Sequence, residues 1–528
     1  MALMSTLASS LLFFSFLVMT LFMVIKNGTK RKTSTAPGTT HYKQLPGPSK
    51  LPIIGSMHHL ISSASKGRST AQALRDLAYE HGPLMHLQLG EIPTLVVTSI
   101  EAAKEILKTH DQNFAYRPLM PTMRYHTYEF KDMMMAPYGA YWRQIRKICV
   151  VEVLSAKRVE SFRFIREEEM LNLMQAVSTA AEAKSPVNLT GEMYSAISNV
   201  LARAAFGDTN RAHAGKFVEA SKEMLKFITG SRVEHIFPSW SLLRVVSGLE
   251  SKLKEIHGRM DRIVNDIVEE HRHKSSNIVT STNINGQEHE DSDFVDVLLR
   301  LQNEGDFEVP LTIDTIKALI VDIFMGGSDT SSVVTIWAIS ELMKNPEERR
   351  KAQAEVRQVF GENSQVQEAD LHKLKYLKAV VKETLRLHPP LPLLFPRESK
   401  QKCEIMGYEI PARTQVFVNV WAMGREPKYW GEDAEQFKPE RFLDTNTDYR
   451  GTDFEYLPFG AGRRICPGIT LGIRNVELPL ACLLYYFNWE LPGGMKPEEL
   501  DMSEDDSAIV GRKTDLCLTP IPYYPLKN

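Results

Sequence analysis

The chain opens on a long apolar block. From Ala2 to Ile25 no charged residue interrupts a run of Leu, Phe, Met, Val and small side chains. As a helix, at about 1.5 Å per residue, this run spans about 36 Å, more than the ~30 Å hydrocarbon layer of a bilayer. Lys26, Lys30, Arg31 and Lys32 follow at once, and cations on that flank predict that everything after it faces the cytosol. A cleaved leader carries a shorter apolar region with its basic residues in front. The pattern therefore predicts an uncleaved anchor over 1–26, then a linker and hinge over 27–55 and a large folded unit over 56–528. Within the hinge, Pro46, Pro48 and Pro52 stiffen the chain and exclude helix.

Further along, two short runs read as strands. Leu84–Leu89 and Thr94–Thr98 are joined by a turn region containing Gly90 and Pro93. Most of the rest has helical periodicity. The clearest helix is Ile313–Lys344, where Thr312 can cap the start, Asp314 suits the first turn, and Asn345-Pro346 stops it. Lys274–Asp293 is rich in Ser, Thr, Asn and acids, and reads as a loop between helices.

Composition narrows the field. With 528 residues and 43% hydrophobic content the chain can bury the core of a large enzyme. A net charge of −2 gives no support to nucleic-acid binding. Five cysteines, an odd number with no C-x-x-C pair, argue against a disulfide framework or a structural zinc site and fit a reducing compartment.

Of the five, Cys466 stands in a distinctive setting, Phe459-Gly460-Ala461-Gly462-Arg463-Arg464-Ile465-Cys466-Pro467-Gly468. Gly460, Gly462 and Gly468 allow tight backbone turns and close approach to a flat ligand. Pro467 suits the first turn of a helix, which would put Cys466 at a helix N-terminus where the dipole favours a thiolate. An isolated Cys is more often an inert buried side chain, but this arrangement suits a thiolate ligand to haem iron.

These residues carry the pattern F-x-x-G-x-R-x-C-x-G, and from about Leu45 onward the chain resembles the cytochrome P-450 superfamily of haem-thiolate monooxygenases. The wording of Leu84–Gly90, Tyr138–Arg143 and Phe454–Gly460 is similar to plant microsomal members that hydroxylate sesquiterpenes and diterpenes. The resemblance implies a mainly α fold with small β-sheets, haem b as cofactor, and Cys466 as the axial iron ligand. It also implies electrons from NADPH through a separate reductase, since the chain has no G-x-G-x-x-G dinucleotide fingerprint. The implied location is the endoplasmic reticulum membrane, with a lipophilic substrate.

The remaining motifs fall in the order the resemblance requires. Gly326-Gly327-Ser328-Asp329-Thr330-Ser331 interrupts the long helix with two glycines, each costing about 1 kcal/mol there. They would leave a bare face for O2, with Asp329 and Thr330 as the catalytic acid and alcohol that relay protons. Glu383 and Arg386 sit three apart on a helix, and the resemblance pairs them with Arg441 in a buried network. Trp142, Arg146, Arg397, Phe459 and Arg464 are the implied haem contacts, the arginines and Trp142 toward the propionates. The implied substrate pocket draws on the Tyr116–Ala136 loop, on Phe324, Gly327, Leu393, Leu394 and Phe395, and on Ala508, Ile509 and Val510. Glu504-Asp505-Asp506 departs from the apolar wording expected beside that last turn. Other chemistries remain open: oxidation of an alkaloid or phenolic, a haem-thiolate isomerase or dehydratase, and a non-catalytic haem- or sterol-binding membrane protein. The acid–alcohol pair argues against the last two.

Overall fold

The computed structural model describes residues 43–207, 211–228, 233–240, 247–280, 293–305, 307–362 and 365–526. The expected membrane anchor and most of its linker lie outside the described residues. The architecture is mainly helical, with the principal helices α1 Thr70–His81, α2 Ala140–Ile148, α3 Arg163–Glu182, α4 Leu189–Phe206, α5 Arg211–Ile228, α6 Leu249–Thr280, α7 Phe294–Glu304, α8 Ile313–Lys344, α9 Pro346–Phe360, α10 Lys375–Leu387 and α11 Ile469–Tyr486.

Helix α8 is the axis of the molecule. Thr312 caps it by accepting the Thr315 N–H at 3.3 Å, as the sequence predicts. It is long and apolar enough to cross a membrane, yet most of it is buried in protein. It packs along α4 and α11 and against α10. Its largest core residue, Trp337, stacks on His388 with rings 4.0 Å apart and donates its indole N–H to the Val510 carbonyl. Truncating such a side chain to alanine costs about 3–5 kcal/mol.

Among the described residues, three small sheets flank the helices. The largest runs β1 (Leu84–Leu89), β2 (Ile92–Val97), β7 (Gln415–Val418), β4 (Arg397–Glu398). The β2–β7 pair is parallel, with Val96 opposite Phe417, and its other two pairs are antiparallel. Tyr116 bridges to Glu398 beyond β4. This sheet therefore ties the Tyr116 region to Arg397 across almost 300 positions. The second sheet orders β3 (Val187–Asn188), β9 (Cys517–Pro522) and β8 (Phe487–Glu490), and β5 (Cys403–Ile405) pairs with β6 (Tyr408–Ile410).

Two sequence expectations change. The polar stretch from Lys274 does not begin a loop, because α6 continues to Thr280; its apolar face (Val264, Ile267, Val268) is buried upstream and carries the polar continuation with it. The second strand starts at Ile92, before Pro93, which occupies a strand position opposite Gln88.

Candidate active site

The Cys466 loop closes on itself. The Cys466 N–H donates to the Phe459 carbonyl at 3.0 Å, and Gly460 and Gly462 adopt φ of 70° and 69°. A Cβ at Gly462 would sit 2.3 Å from the Leu107 carbonyl oxygen, so no other residue fits without moving backbone. The Phe459 ring packs edge-on to Tyr449 at 5.4 Å. Helix α11 begins only at Ile469, with Gly468 as its N-cap at φ −95°. That corrects the expectation for Pro467: Cys466 and Pro467 precede the helix, in the turn that leads into it. The thiol still feels the helix start and Arg146, both of which favour a thiolate. Burial outweighs them and pushes the thiol above its ordinary value. A bound metal reverses that balance, since a coordinating thiol is deprotonated outright.

Asp111 holds the wall of this loop. Its carboxylate accepts from the Arg463 N–H at 3.0 Å, from Arg463 Nη1 at 2.8 Å and from Arg397 Nη1 at 3.2 Å. Arg397 also donates to the Ala461 carbonyl at 2.7 Å, and Arg146 to the Ile465 carbonyl at 2.6 Å. Asp111 carries no motif of its own, so only its contacts reveal it.

Beside the loop, cationic side chains crowd together. Arg464 donates to the carbonyls of Ala115, Met133 and Ala136 and lies 4.3 Å over the Trp142 ring. Trp142 donates its indole N–H to the Met133 carbonyl at 2.9 Å. Arg117, expected only as part of the Tyr116–Ala136 pocket loop, donates to the carbonyls of Phe395 and Pro396 at 2.7 Å each and to Met134 at 3.2 Å. Its signal was the Arg-Pro that follows Ala115-Tyr116. Burial, then mutual repulsion, pushes Arg464 down to about 9, and burial takes Arg397 to about 10 and Arg117 well below its ordinary value. Guanidinium groups keep their protons in proteins, so the cluster instead demands anions. The two propionates of a bound haem would meet that demand, and the residues fit this group.

On α8, Gly326 is exposed between buried Met325 and the half-buried Gly327, and a Cβ there would meet nothing within 4 Å. Thr330 donates its hydroxyl to the Gly326 carbonyl at 2.8 Å. The Asp329 carboxyl is raised to about 6 by burial, with Lys222 pulling the other way. Ile323 shares the Gly326 face by helical spacing and escaped the sequence reading. Phe324 and Gly327 lie off that face. Phe324 packs edge-on to Phe217 at 4.9 Å, and a Cβ on Gly327 would lie 3.1 Å from Leu201 Cδ1 on α4. At about 100° per residue, Phe324 projects about 200° from Gly326.

The other pocket expectations divide. Leu393, partly buried, packs against the sheet core of Leu74, Met85 and Val96. Leu394, at φ 52°, rests 3.6 Å from the Cβ position of Gly460, and Phe395 lies 5.2 Å from the Arg117 guanidinium. Ala508 is exposed and Ile509 half-buried in a turn closed by the Ser507 hydroxyl on the Ile509 carbonyl. The Val510 N–H donates to the Pro390 carbonyl at 2.9 Å, joining this turn to the 390–397 segment. The unexpected Glu504 is structural. It accepts from the Trp421 indole at 3.0 Å and faces His388, which is bonded to Glu341 at 2.7 Å.

Glu383 and Arg386 pair twice, at 2.7 and 2.6 Å, with both side chains fully buried. Arg386 also donates to the carbonyls of Gly424, Ala434 and Gln436. Glu383 accepts from the Lys438 N–H at 2.8 Å and from Arg441 at 3.3 Å. Tyr456, just ahead of the Cys466 loop, donates to the Lys382 carbonyl at 2.7 Å, so the network and the loop share helix α10.

The cytochrome P-450 family profile matches residues 45–518. Premnaspirodiene oxygenase from Hyoscyamus muticus is 48% identical over 92% of this chain and 93% of its own. 5-Epiaristolochene 1,3-dihydroxylase from Nicotiana tabacum is 47% identical over 92% and 94%. Desmethyl-deoxy-podophyllotoxin synthase from Sinopodophyllum hexandrum is 48% identical over 97% of each chain. A zebra fish cytochrome P-450 solved with progesterone superimposes with a TM-score of 0.73 at 25% identity, covering 86% of this chain and 99% of that one. The chain belongs to the cytochrome P-450 family. It is a haem-dependent monooxygenase.

Proposed function

We propose that this chain is a membrane-anchored monooxygenase that inserts one oxygen atom from O2 into a lipophilic terpenoid, a sesquiterpenoid or diterpenoid. Haem bound at Cys466 supplies the redox chemistry and O2 activation. Trp142, Arg146, Arg397 and Arg464 hold its propionate edge, joined by Arg117. Glu383, Arg386 and Arg441 brace the segment behind it. The observation that carries the catalytic reading is the bare Gly326 face with Thr330 and Asp329 beside it. Thr330 holds a hydroxyl at the Gly326 carbonyl, and Asp329, raised to about 6, can take and release a proton near neutral pH.

The terpenoid class is supported by the names of two relatives. A phenolic substrate is the second reading, favoured by an equally similar relative named for a podophyllotoxin. Electrons reach the site from NADPH through a reductase, for which a surface groove of about 380 Å³ between Tyr138, Arg143, Lys147, Val150, Val151 and Arg463 is suited. Its cations and exposed valines match an acidic partner surface with an apolar centre. Anchoring by 1–26 places the enzyme on the endoplasmic reticulum, facing the cytosol.

The test is reconstitution with a plant reductase, NADPH and a panel of sesquiterpenes, diterpenes and phenolics, with products read by mass spectrometry. A terpene product one oxygen heavier, absent in Cys466→Ala, is expected. Turnover of phenolics alone would overturn the terpenoid reading. Deleting residues 2–26 is expected to release the protein from carbonate-washed membranes with its haem retained.

A further inference from the structure

The short segment 132–136 is gripped from two sides. On one side its carbonyls receive the cationic cluster: Met133 takes the Trp142 indole and Arg464, Met134 takes Arg117, and Ala136 takes Arg464. On the other, its N–H groups go to carboxylates. Met133 and Met134 both donate to Asp322 Oδ2, at 2.8 and 3.0 Å, and Met135 donates to Asp132 Oδ2 at 2.9 Å. Asp322 belongs to α8, four residues before Gly326.

Asp132 is 0% exposed and Asp322 9%, and the two carboxylates accept from three consecutive N–H groups of one segment, which brings them side by side. Asp132 Oδ1 is buried without a hydrogen-bond partner. Two carboxylates facing each other away from water cannot both ionise, and a bond between them needs one proton. Burial raises both groups above the ordinary carboxyl range, and at Asp132 the neighbouring Asp322 charge adds to it.

The surrounding groups do not substitute for that proton. Arg117 and Arg464 attract Asp132 through space, but their donors go to backbone carbonyls. Lys131 turns outward to Asp314 at 2.6 Å. Tyr141 spends its hydroxyl on the Lys131 carbonyl and Thr315, and burial keeps both it and the Cys149 thiol neutral.

We propose that Asp132 and Asp322 are a proton-sharing pair that positions the 132–136 segment, and through it Trp142, Arg464 and Arg117, against the haem propionates, so that haem retention depends on one proton held between α8 and this segment. The inference rests on the reading of that cluster as the propionate site. Neither residue touches the reacting atoms; both are positioning residues. The sign follows from linkage: groups raised in the fold contribute fully below the ordinary carboxyl range, and that contribution is lost as pH rises through their raised values. Haem should therefore be held less firmly toward alkaline pH.

The experiment measures transfer of haem from the purified full-length holoenzyme to excess apomyoglobin across pH. The parent is expected to lose haem about tenfold faster at about pH 8.5 than at about pH 6. Asp322→Asn keeps an acceptor oxygen for Met133 and Met134 and offers a permanent donor to Asp132, so its profile is expected to be flat, at the parent's slow limb. Asp322→Leu, which removes both, is expected to lose haem quickly at every pH. A parent profile without pH dependence, an Asn variant that keeps the parent's slope, or an Asn variant as defective as the Leu variant would each overturn the shared proton. Arg464→Ala serves as the parallel control: unchanged haem transfer there would overturn the propionate reading itself.

Discussion

Two groups of buried arginines stand a short way apart and are satisfied in opposite ways. Arg386 pairs with Glu383, Arg441 with both Glu383 and Asp433, and the remaining donors of Arg386 end on the carbonyls of Gly424, Ala434 and Gln436. That network closes within the protein. Arg464 and Arg117 instead have carbonyl oxygens as hydrogen-bond partners, and Asp111 is the carboxylate paired with Arg397. Carbonyl dipoles satisfy donors but do not neutralise charge. The first set is a brace because its charges are matched; the second is a binding edge because they are not. Unbalanced buried charge of one sign marks where a ligand must complete the fold.

The comparison breaks most visibly at Glu383. Glu383→Ala leaves Arg386 buried without its carboxylate and is expected to cost about 3–5 kcal/mol of stability, read by thermal or chemical unfolding. A loss below about 1 kcal/mol, the size of an exposed pair, would place the network among surface ion pairs. At the binding edge the same kind of change should act through the ligand. Arg464→Ala is expected to speed haem loss about 10–100-fold, the worth of one charge-assisted hydrogen bond. Equal destabilisation of haem-free and haem-loaded protein would erase the distinction between brace and edge.

Smaller effects are expected on α8. Thr330→Ala removes a group used in proton delivery, where such losses reach about 10²-fold in the step served. Because that step is a part of turnover, the expected readout is a several-fold lower ratio of product to NADPH oxidised, with more peroxide and unchanged substrate affinity. The smallest effect concerns Asp329. Its carboxyl is raised to about 6 by burial, so its contribution to stability is complete below the ordinary carboxyl range and fades as pH rises through about 6. Asp329→Asn should flatten that limb of the unfolding profile, by no more than about 2 kcal/mol given the half-open position of the side chain.

Much of this layout was legible in the chain. The extent of α8 follows from Thr312 and Asn345-Pro346, because caps are local. The Cys466 loop and the Glu383–Arg386 pair are contiguous or one turn apart, so spacing alone brings them together. The roles of Asp111, Arg117 and Asp132 were not legible, although the last two lie in the Tyr116–Ala136 loop and Arg117 opens an Arg-Pro pair. Each acts on a partner distant in sequence, Arg463, Pro396 and the Asp322 segment respectively, and no local pattern encodes such partners. The packing of Phe324 on Phe217 and of Leu393 on the sheet core was hidden for the converse reason. Apolar residues near a site look alike in sequence whether they line it or pack behind it, and only the turn of the helix or the strand separates the two.

The adjacent glycines of α8 show what that turn decides. Gly326 looks into open space, whereas Gly327 presses on Leu201. The first sets how much room exists below the helix; the second sets how high the helix rides. Leu201 is therefore a ceiling bolt. Trimming it should let the helix lift, and enlarging Gly327 should force it down, so selectivity can be adjusted from behind the Gly326 face.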